Sequence, residues 1–274
     1  MNTQTNFEER YFSGDLLYGD DFDQPQINQW FKDEEHGYAE LHGSDKEKHA
    51  YGYEELNVLH GFSRIKRQGR FQHVLGFGSN FGDELVPVLG RCERITLLDS
   101  SDRFEVTELR GVPVRYVIAD PTGRINLPDA SVDLITCFGV LHHIPNVSFV
   151  VKEFSRVLMP GGLLLVREPV TTMGDWRVRR RGLTLRERGI PREIFLKIFQ
   201  DAGLTLRKVS DCYFPPWVRL CSKLGLFPFS NRIATLVDSV FSIAFRFNYS
   251  YHKRGILTRF APASIFVVAS KENR

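Results

Sequence analysis

Glycines, carboxylates and histidines that could bind and act on a small ligand stand at the ends of successive apolar runs. The stretch Gln72-His73-Val74-Leu75-Gly76-Phe77-Gly78-Ser79-Asn80-Phe81-Gly82-Asp83 opens like a buried strand. It turns through glycines and enters what reads as a helix start at Asp83-Glu84-Leu85-Val86. Such a turn lets the backbone approach a ligand, and the new helix offers free N–H groups. Roughly twenty residues on, Ile95-Thr96-Leu97-Leu98-Asp99 ends a second run with a carboxylate able to accept from both hydroxyls of a ribose. A nucleoside-containing cofactor follows. Two later runs end in Asp120-Pro121 and in Phe138-Gly139-Val140-Leu141-His142-His143. His142 is a candidate base, and Glu168, ending the next run, could orient it. The bland alternative is a His-His pair at a helix entry, satisfied by backbone.

The elements that must hold these residues alternate from residue 72 onward, predicting a parallel sheet with crossover helices. Strands are expected at 94–99, 114–120, 131–138, 163–166, 204–210 and 264–270. Asn146 is expected to cap a helix carrying Val150, Phe154, Val157 and Leu158 on one face, stopped by Met159-Pro160-Gly161-Gly162. Pro191 starts another helix, closed by Gly203. Residues 1–70 lack strand periodicity and read as a helical cap, with helices around Ile27–Glu35 and Tyr53–Lys66 and loop positions at Gly37-Tyr38 and Tyr51-Gly52-Tyr53. Residues 71–274 form the main domain, with an arginine-rich connection at 171–193. An apolar helical insertion at 214–260 is read as a lid packed on the sheet through residues such as Phe214, Leu220, Leu224, Phe227 and Phe229; the alternative is that it also touches a membrane surface or an acyl chain, without stable insertion.

Composition sets the bounds. The chain has 274 residues and a formal charge of +3, too little to argue for nucleic acid. The first fifty residues hold twelve acids against four Lys or Arg, whereas Arg177–Arg192 holds seven arginines. Those arginines could grip an anionic substrate; Trp176, Arg180 and Arg188, with His143, are the substrate-side candidates. The alternative is a solvated segment paired with the acidic cap. Cys92, Cys137, Cys212 and Cys221 lack metal-like spacing and read as buried thiols; no metal site is expected. The polar N-terminus is no signal peptide, and Ile233–Phe245 is too short to span a bilayer, so a cytoplasmic protein is expected.

In this order the pieces resemble a class I S-adenosylmethionine-dependent methyltransferase of the small-molecule type. The resemblance covers residues 70–171 well and the last strand loosely. It implies a Rossmann-like α/β fold, a seven-stranded mostly parallel sheet with its last strand antiparallel, and S-adenosylmethionine as cofactor. Gly78 and Gly82 would pass the methionine end, Asp99 would hold the ribose hydroxyls, and Asp120 would accept from the adenine amino group with Pro121 against the ring. Phe138 and Gly139 would line the sulfur that carries the methyl, and Gly76, Phe77, Ser79 and Ser100 complete the cofactor set. Two positions depart from the pattern: Gly76 stands where the family has an acid, and Asn80 where it has a glycine. Another residue must then meet the cofactor's amino group, a cap tyrosine being one choice. Asn80 tolerates left-handed backbone.

The reaction expected is methyl transfer to oxygen or nitrogen of a small molecule, and 167–177 with 187–191 resembles methyltransferases of bacterial surface-glycan assembly. A nicotinamide dehydrogenase also wants a glycine turn, but here the third glycine falls one place late. An amino-methylating nucleic-acid enzyme would carry Asp/Asn-Pro-Pro-aromatic where this chain has Phe138-Gly139-Val140. A non-catalytic binding protein on the same fold is the remaining alternative.

Overall fold

In the computed structural model, which describes residues 9–41, 51–65 and 68–273, the apolar runs assemble into one eight-stranded sheet. Its strands are β1 (Phe71–Phe77), β2 (Cys92–Asp99), β3 (Glu108–Leu109), β4 (Val112–Ile118), β5 (Val132–Phe138), β6 (Leu158–Pro169), β7 (Leu204–Cys212) and β8 (Ser264–Lys271). The spatial order is β3-β4-β2-β1-β5-β6-β8-β7. β1 pairs parallel with both β2 and β5, while β8 runs antiparallel to β6 and β7. The seven expected strands are present. The eighth, β3, is a two-residue partner of β4 across a turn at Arg110-Gly111, both at positive φ.

Helices cover both faces, so the central strands are apolar and buried through most of their length. Leu75, Ile135, Leu164 and Val267 point to one side, against Val151, Phe154 and Phe195. Their neighbours Val74, Leu134, Leu165 and Phe266 point to the other, against Leu56, Phe62 and Phe229. That alternation is the period of two of a strand. Each such buried Leu or Phe contributes roughly 1.5–3 kcal/mol. The helices are α1 (Gln24–Leu41), α2 (Glu54–His60), α3 (Val147–Val157), α4 (Arg192–Asp201), α5 (Pro215–Lys223) and α6 (Arg232–Ala244). All four cysteines are buried and free. Among the described residues no helix is long and apolar enough to cross a membrane.

Several local expectations change. Gly37 lies inside α1, not in a loop; a Cβ there would come within 3.2 Å of Thr184, so the bare Cα lets that residue approach. The segment after β1 is a 3-10 helix, Asp83–Arg91, because Pro87 has no N–H for an α-helical ladder. Asn146 occupies the N-cap position of α3, but its amide donates to the Thr122 carbonyl (2.7 Å) instead of capping. β6 begins at Leu158, absorbing Pro160 and both following glycines at a register shift between β5 and β6. In the insertion, Phe214 and Phe229 are buried, whereas Leu220, Leu224 and Phe227 face solvent.

From β4 the chain returns across β1 to β5. This reversal opens a crevice at the carboxyl ends of β1 and β5, where the chemistry-bearing residues gather.

Candidate functional site

The crevice holds two cavities, of about 670 and 240 Å³, which share Gly78, Asn80, Phe138 and Gly139 as a common wall. The loop after β1 makes that wall. Gly78, Asn80 and Gly82 take φ of +64°, +46° and +76°, the left-handed region that glycine enters without steric cost. A Cβ on Gly78 would lie 2.5 Å from Val140, and one on Gly82 2.6 Å from Leu109. The turn is held by Gly78 N–H donating to Leu98 O (2.7 Å) and Gly82 N–H to Ser79 O (2.7 Å).

Asp99, at the end of β2, lines the smaller cavity with Ser100, Asp120 and Pro121. It is 7% exposed and accepts the N–H groups of Asn80 and Ser100, both at 2.8 Å. Burial raises its pKa and those hydrogen bonds oppose the rise. Asp120 is exposed and ties one oxygen to the N–H and hydroxyl of Thr122 (2.8 and 2.6 Å). His143 lines this smaller cavity, not the larger one. Its Nδ1 meets Glu34 (2.9 Å), and its carbonyl accepts from Trp30 Nε1 (2.7 Å), so α1 is clamped over the tip of β5.

Glu168, fully buried, organises that tip. One carboxylate oxygen accepts the N–H groups of Val140 and Leu141 at 2.8 Å each, and the other meets His142 Nδ1 at 2.7 Å. On the far side of the ring, His142 Nε2 lies 3.5 Å from Glu187. Burial disfavours the imidazolium, but hydrogen bonds and charge from Glu168 and Glu187 outweigh it and raise the pKa to about 9. Glu187 shifts oppositely: burial pushes it up, while His142 and the charges of His143 and His142 bring it down to about 2. Ligand atoms of His142, His143 and Glu187 lie within 4.8 Å of one another, close enough to hold a cation. The contacts of His142 are already those of an imidazolium between two carboxylates.

The larger cavity contains residues that sequence reading passed over. Glu84 is 6% exposed and lines it, with Oε1 buried and unpartnered among the described residues. Burial raises its pKa to about 7, against a hydrogen bond from Ser79. Gly76 explains the arrangement. A Cβ there would sit 2.4 Å from Ser79 Oγ, so the missing side chain makes room for the serine that holds Glu84. Arg167, 8% exposed, lies 3.9 Å over the Tyr53 ring, and its Nη1 is buried without a partner among the described residues. Tyr51 and Tyr53 close the same cavity, and Asn57 donates to the Tyr51 hydroxyl. Glu84 was visible as a helix-start acid and Arg167 as the neighbour of Glu168, but neither carries a spacing signal.

The remaining expectations are corrected. Gly76 and Gly82 line neither cavity and act by the room they leave. Trp176, Arg180 and Arg188 also line neither. Trp176 stacks on Tyr18 with centroids 3.7 Å apart. Arg180 donates to the carbonyls of Met173, Thr184 and Leu185. Arg188, 1% exposed, donates to the carbonyls of Tyr18, His142, Ile144 and Pro145, and burial lowers its pKa to about 10. Both guanidinium groups are turned to backbone oxygens; Arg188 has all three nitrogens engaged, and only Nε of Arg180 is without a partner among the described residues. Arg186 pairs with Asp33 (2.7 Å), which is the docking to the acidic cap weighed from charge alone.

Sheet order, glycine turn and strand-end carboxylates define a Rossmann-like nucleotide-binding architecture. Residues 75–166 match the family profile described as a methyltransferase domain. A probable S-adenosylmethionine-dependent methyltransferase of Mycolicibacterium smegmatis is 34% identical over 123 residues, 43% of this chain and 46% of that protein. A ubiquinone biosynthesis O-methyltransferase of Xanthomonas oryzae pv. oryzae is 27% identical over 49% of this chain and 56% of its own length. The solved S-adenosylmethionine-dependent methyltransferase of Mesorhizobium loti superposes with a TM-score of 0.53 at 16% identity, over 80% of this chain and 99% of that one. Residues 75–166 thus match a methyltransferase domain, on a fold shared with solved S-adenosylmethionine-dependent methyltransferases, and the chain spans about half the length of the first of these curated relatives.

Proposed function

We propose that this protein transfers a methyl group from S-adenosylmethionine to an oxygen or nitrogen of a small-molecule acceptor. The observation that carries the reading is the pair of joined cavities, one lined by Asp99 and Asp120 and the other by Glu84, Arg167 and His142. Asp99 takes the ribose hydroxyls, Ser100 borders them, and Asp120 with Pro121 faces the adenine. The Gly78–Gly82 turn passes the sulfonium end, Phe77 and Phe138 supply apolar walls, and Glu84 accepts from the α-ammonium. Bound S-adenosylmethionine supplies an already activated methyl, so the protein must position the acceptor and take its proton.

His142 is the group for that proton. Glu168 fixes its ring through Nδ1 and turns Nε2 toward the larger cavity. An acceptor hydroxyl or amine that displaces Glu187 from Nε2 meets a ring poised to act once it has lost its own proton. The name of the Xanthomonas relative, an O-methyltransferase, is consistent with such an acceptor. Arg167 gives the cavity its cation, so an acceptor carrying an anionic or strongly polar group fits; a sugar or glycan precursor is one class that brings both. Incubation with methyl-labelled S-adenosylmethionine and a panel of small hydroxyl and amine compounds tests the reading. Labelled product and an equal amount of S-adenosylhomocysteine are expected. Firm cofactor binding with no transfer to any such acceptor would favour the non-catalytic alternative.

A further inference from the structure

The insertion between β7 and β8 is polarised the wrong way round for a lid. In α6 the buried residues are Thr235, Asp238 and Ser242, while Ile233, Leu236, Val240 and Ile243 are 74%, 43%, 64% and 56% exposed. Their spacing of three and four puts them on one stripe of the helix. The inward polar side is fully used: Asp238 accepts the N–H groups of Tyr213 and Phe214, and Thr235 donates to Pro228 O. The outward side continues beyond the helix. Phe247, Ile256 and Leu257 are more than two-thirds exposed at 77%, 76% and 72%. Phe245 contacts both Phe247 and Phe260, joining the turns at 246–248 and 257–259 to the end of α6. A patch of this extent on an otherwise ordinary surface marks an interaction site.

Charge says with what. Residues 214–263 contain seven Lys or Arg and one acid, the buried Asp238. Arg219, Lys223, Arg232, Arg246, Arg254 and Arg259 are exposed, and none forms an ion pair among the described residues. A second copy would bring like charge against like charge. A bilayer carrying anionic headgroups offers both an acyl layer for the apolar stripe and counter-charges for the cations. We propose that the outer face of the α5–α6 insertion is a docking surface for an anionic lipid bilayer, on which the protein lies without spanning it. The face borders the larger cavity, since Phe227 packs on Gly52, where a Cβ would come within 2.3 Å of its ring. An acceptor dissolved in the bilayer would then reach the cleft from the side. That extension rests on the proposed function; the docking does not.

Sedimentation of the full chain with phosphatidylcholine vesicles and with vesicles containing phosphatidylglycerol tests this. At least about tenfold stronger binding to the anionic vesicles is expected, weakening as salt is raised. Ile233→Ser/Val240→Ser/Ile243→Ser/Phe247→Ser should abolish binding with its melting temperature kept, all four side chains being exposed. Arg232→Glu/Arg246→Glu should remove the preference for anionic lipid, and this pair still decides the matter if the apolar variant fails to fold. No binding to anionic vesicles by the wild type would overturn the proposal. So would a wild-type dimer in sedimentation equilibrium that the apolar variant converts to monomer, which would make the face a self-interface.

Discussion

Replacing Glu84 with Gln separates two effects that a merely structural acid would move together. Burial lifts its carboxyl from 4.5 to about 7 despite the Ser79 hydrogen bond. The folded state therefore holds this proton more tightly than the unfolded state, and the group's contribution to stability falls as pH rises from about 4.5 to about 7. At 1.36 kcal/mol per pH unit, that gap makes the ionised carboxylate an opposing contribution of up to about 3 kcal/mol above pH 7. Glu84→Gln cannot ionise, so at pH 8 its melting temperature should rise by about 5 °C. Binding moves the other way. The ammonium of S-adenosylhomocysteine loses a charged hydrogen-bond partner worth about 1.5–3 kcal/mol, a loss of roughly 10- to 100-fold in affinity. The wild type should also bind more tightly as pH rises toward 7 and level off above it, a slope absent from the variant. Calorimetry with S-adenosylhomocysteine reads both, and 5′-methylthioadenosine, which lacks the amino-acid end, should bind the two proteins equally. Equal S-adenosylhomocysteine affinities, or a less stable variant with unchanged binding, would refute the assignment.

The His142 carboxylate pair predicts the pH profile of turnover. As a base His142 must first lose its proton, so turnover should climb as pH rises through about 9; Glu187→Gln, which removes one of two carboxylates holding that proton, should move the rise down by about one pH unit or more. Superimposable profiles would exclude the pair from proton transfer. For stability, a histidine raised from 6.5 to about 9 contributes fully below pH 6.5 and loses that contribution through pH 9, and a urea series on wild type and Glu187→Gln should show the variant losing less over that window. Gly76→Asp restores the acid of the resemblance but drives a Cβ to 2.4 Å from Ser79 Oγ; a cost of about 1–3 kcal/mol and no gain in S-adenosylhomocysteine affinity are expected, read as melting temperature and calorimetry. Tighter binding at full stability would contradict the steric account.

What could be read from residues alone was whatever the chain decides locally. The turn from Gly78 to Gly82, the carboxylates at Asp99 and Asp120 and the tip at Phe138–His142 lie at strand ends, and strand periodicity locates strand ends. Asn80 at φ +46° falls in the same category. Glu84, Glu187 and Arg167 were not legible as a set, because their meeting depends on a loop, a helix start and a strand from three parts of the chain. The arginines misled for a related reason: a sequence counts cations without showing that Arg188 and Arg180 face backbone carbonyls. In α6 the apolar spacing reads as a core-facing stripe. Only the anchoring of Asp238 to Tyr213 and Phe214 reveals that the helix is turned outward.

Asp99 carries the central claim most directly, since it is the carboxylate proposed to hold the ribose hydroxyls and it lines the smaller cavity. Asp99→Asn keeps an oxygen for only one of the N–H groups of Asn80 and Ser100, which use different carboxylate oxygens, and it loses the anionic acceptor for two hydroxyls. Calorimetric titration with S-adenosylhomocysteine should show one site per wild-type chain and affinity lower by at least about tenfold in Asp99→Asn, at about 1.5 kcal/mol or more for a charged hydrogen bond. Absence of wild-type binding, or equal affinity in the two proteins, would contradict the cofactor site.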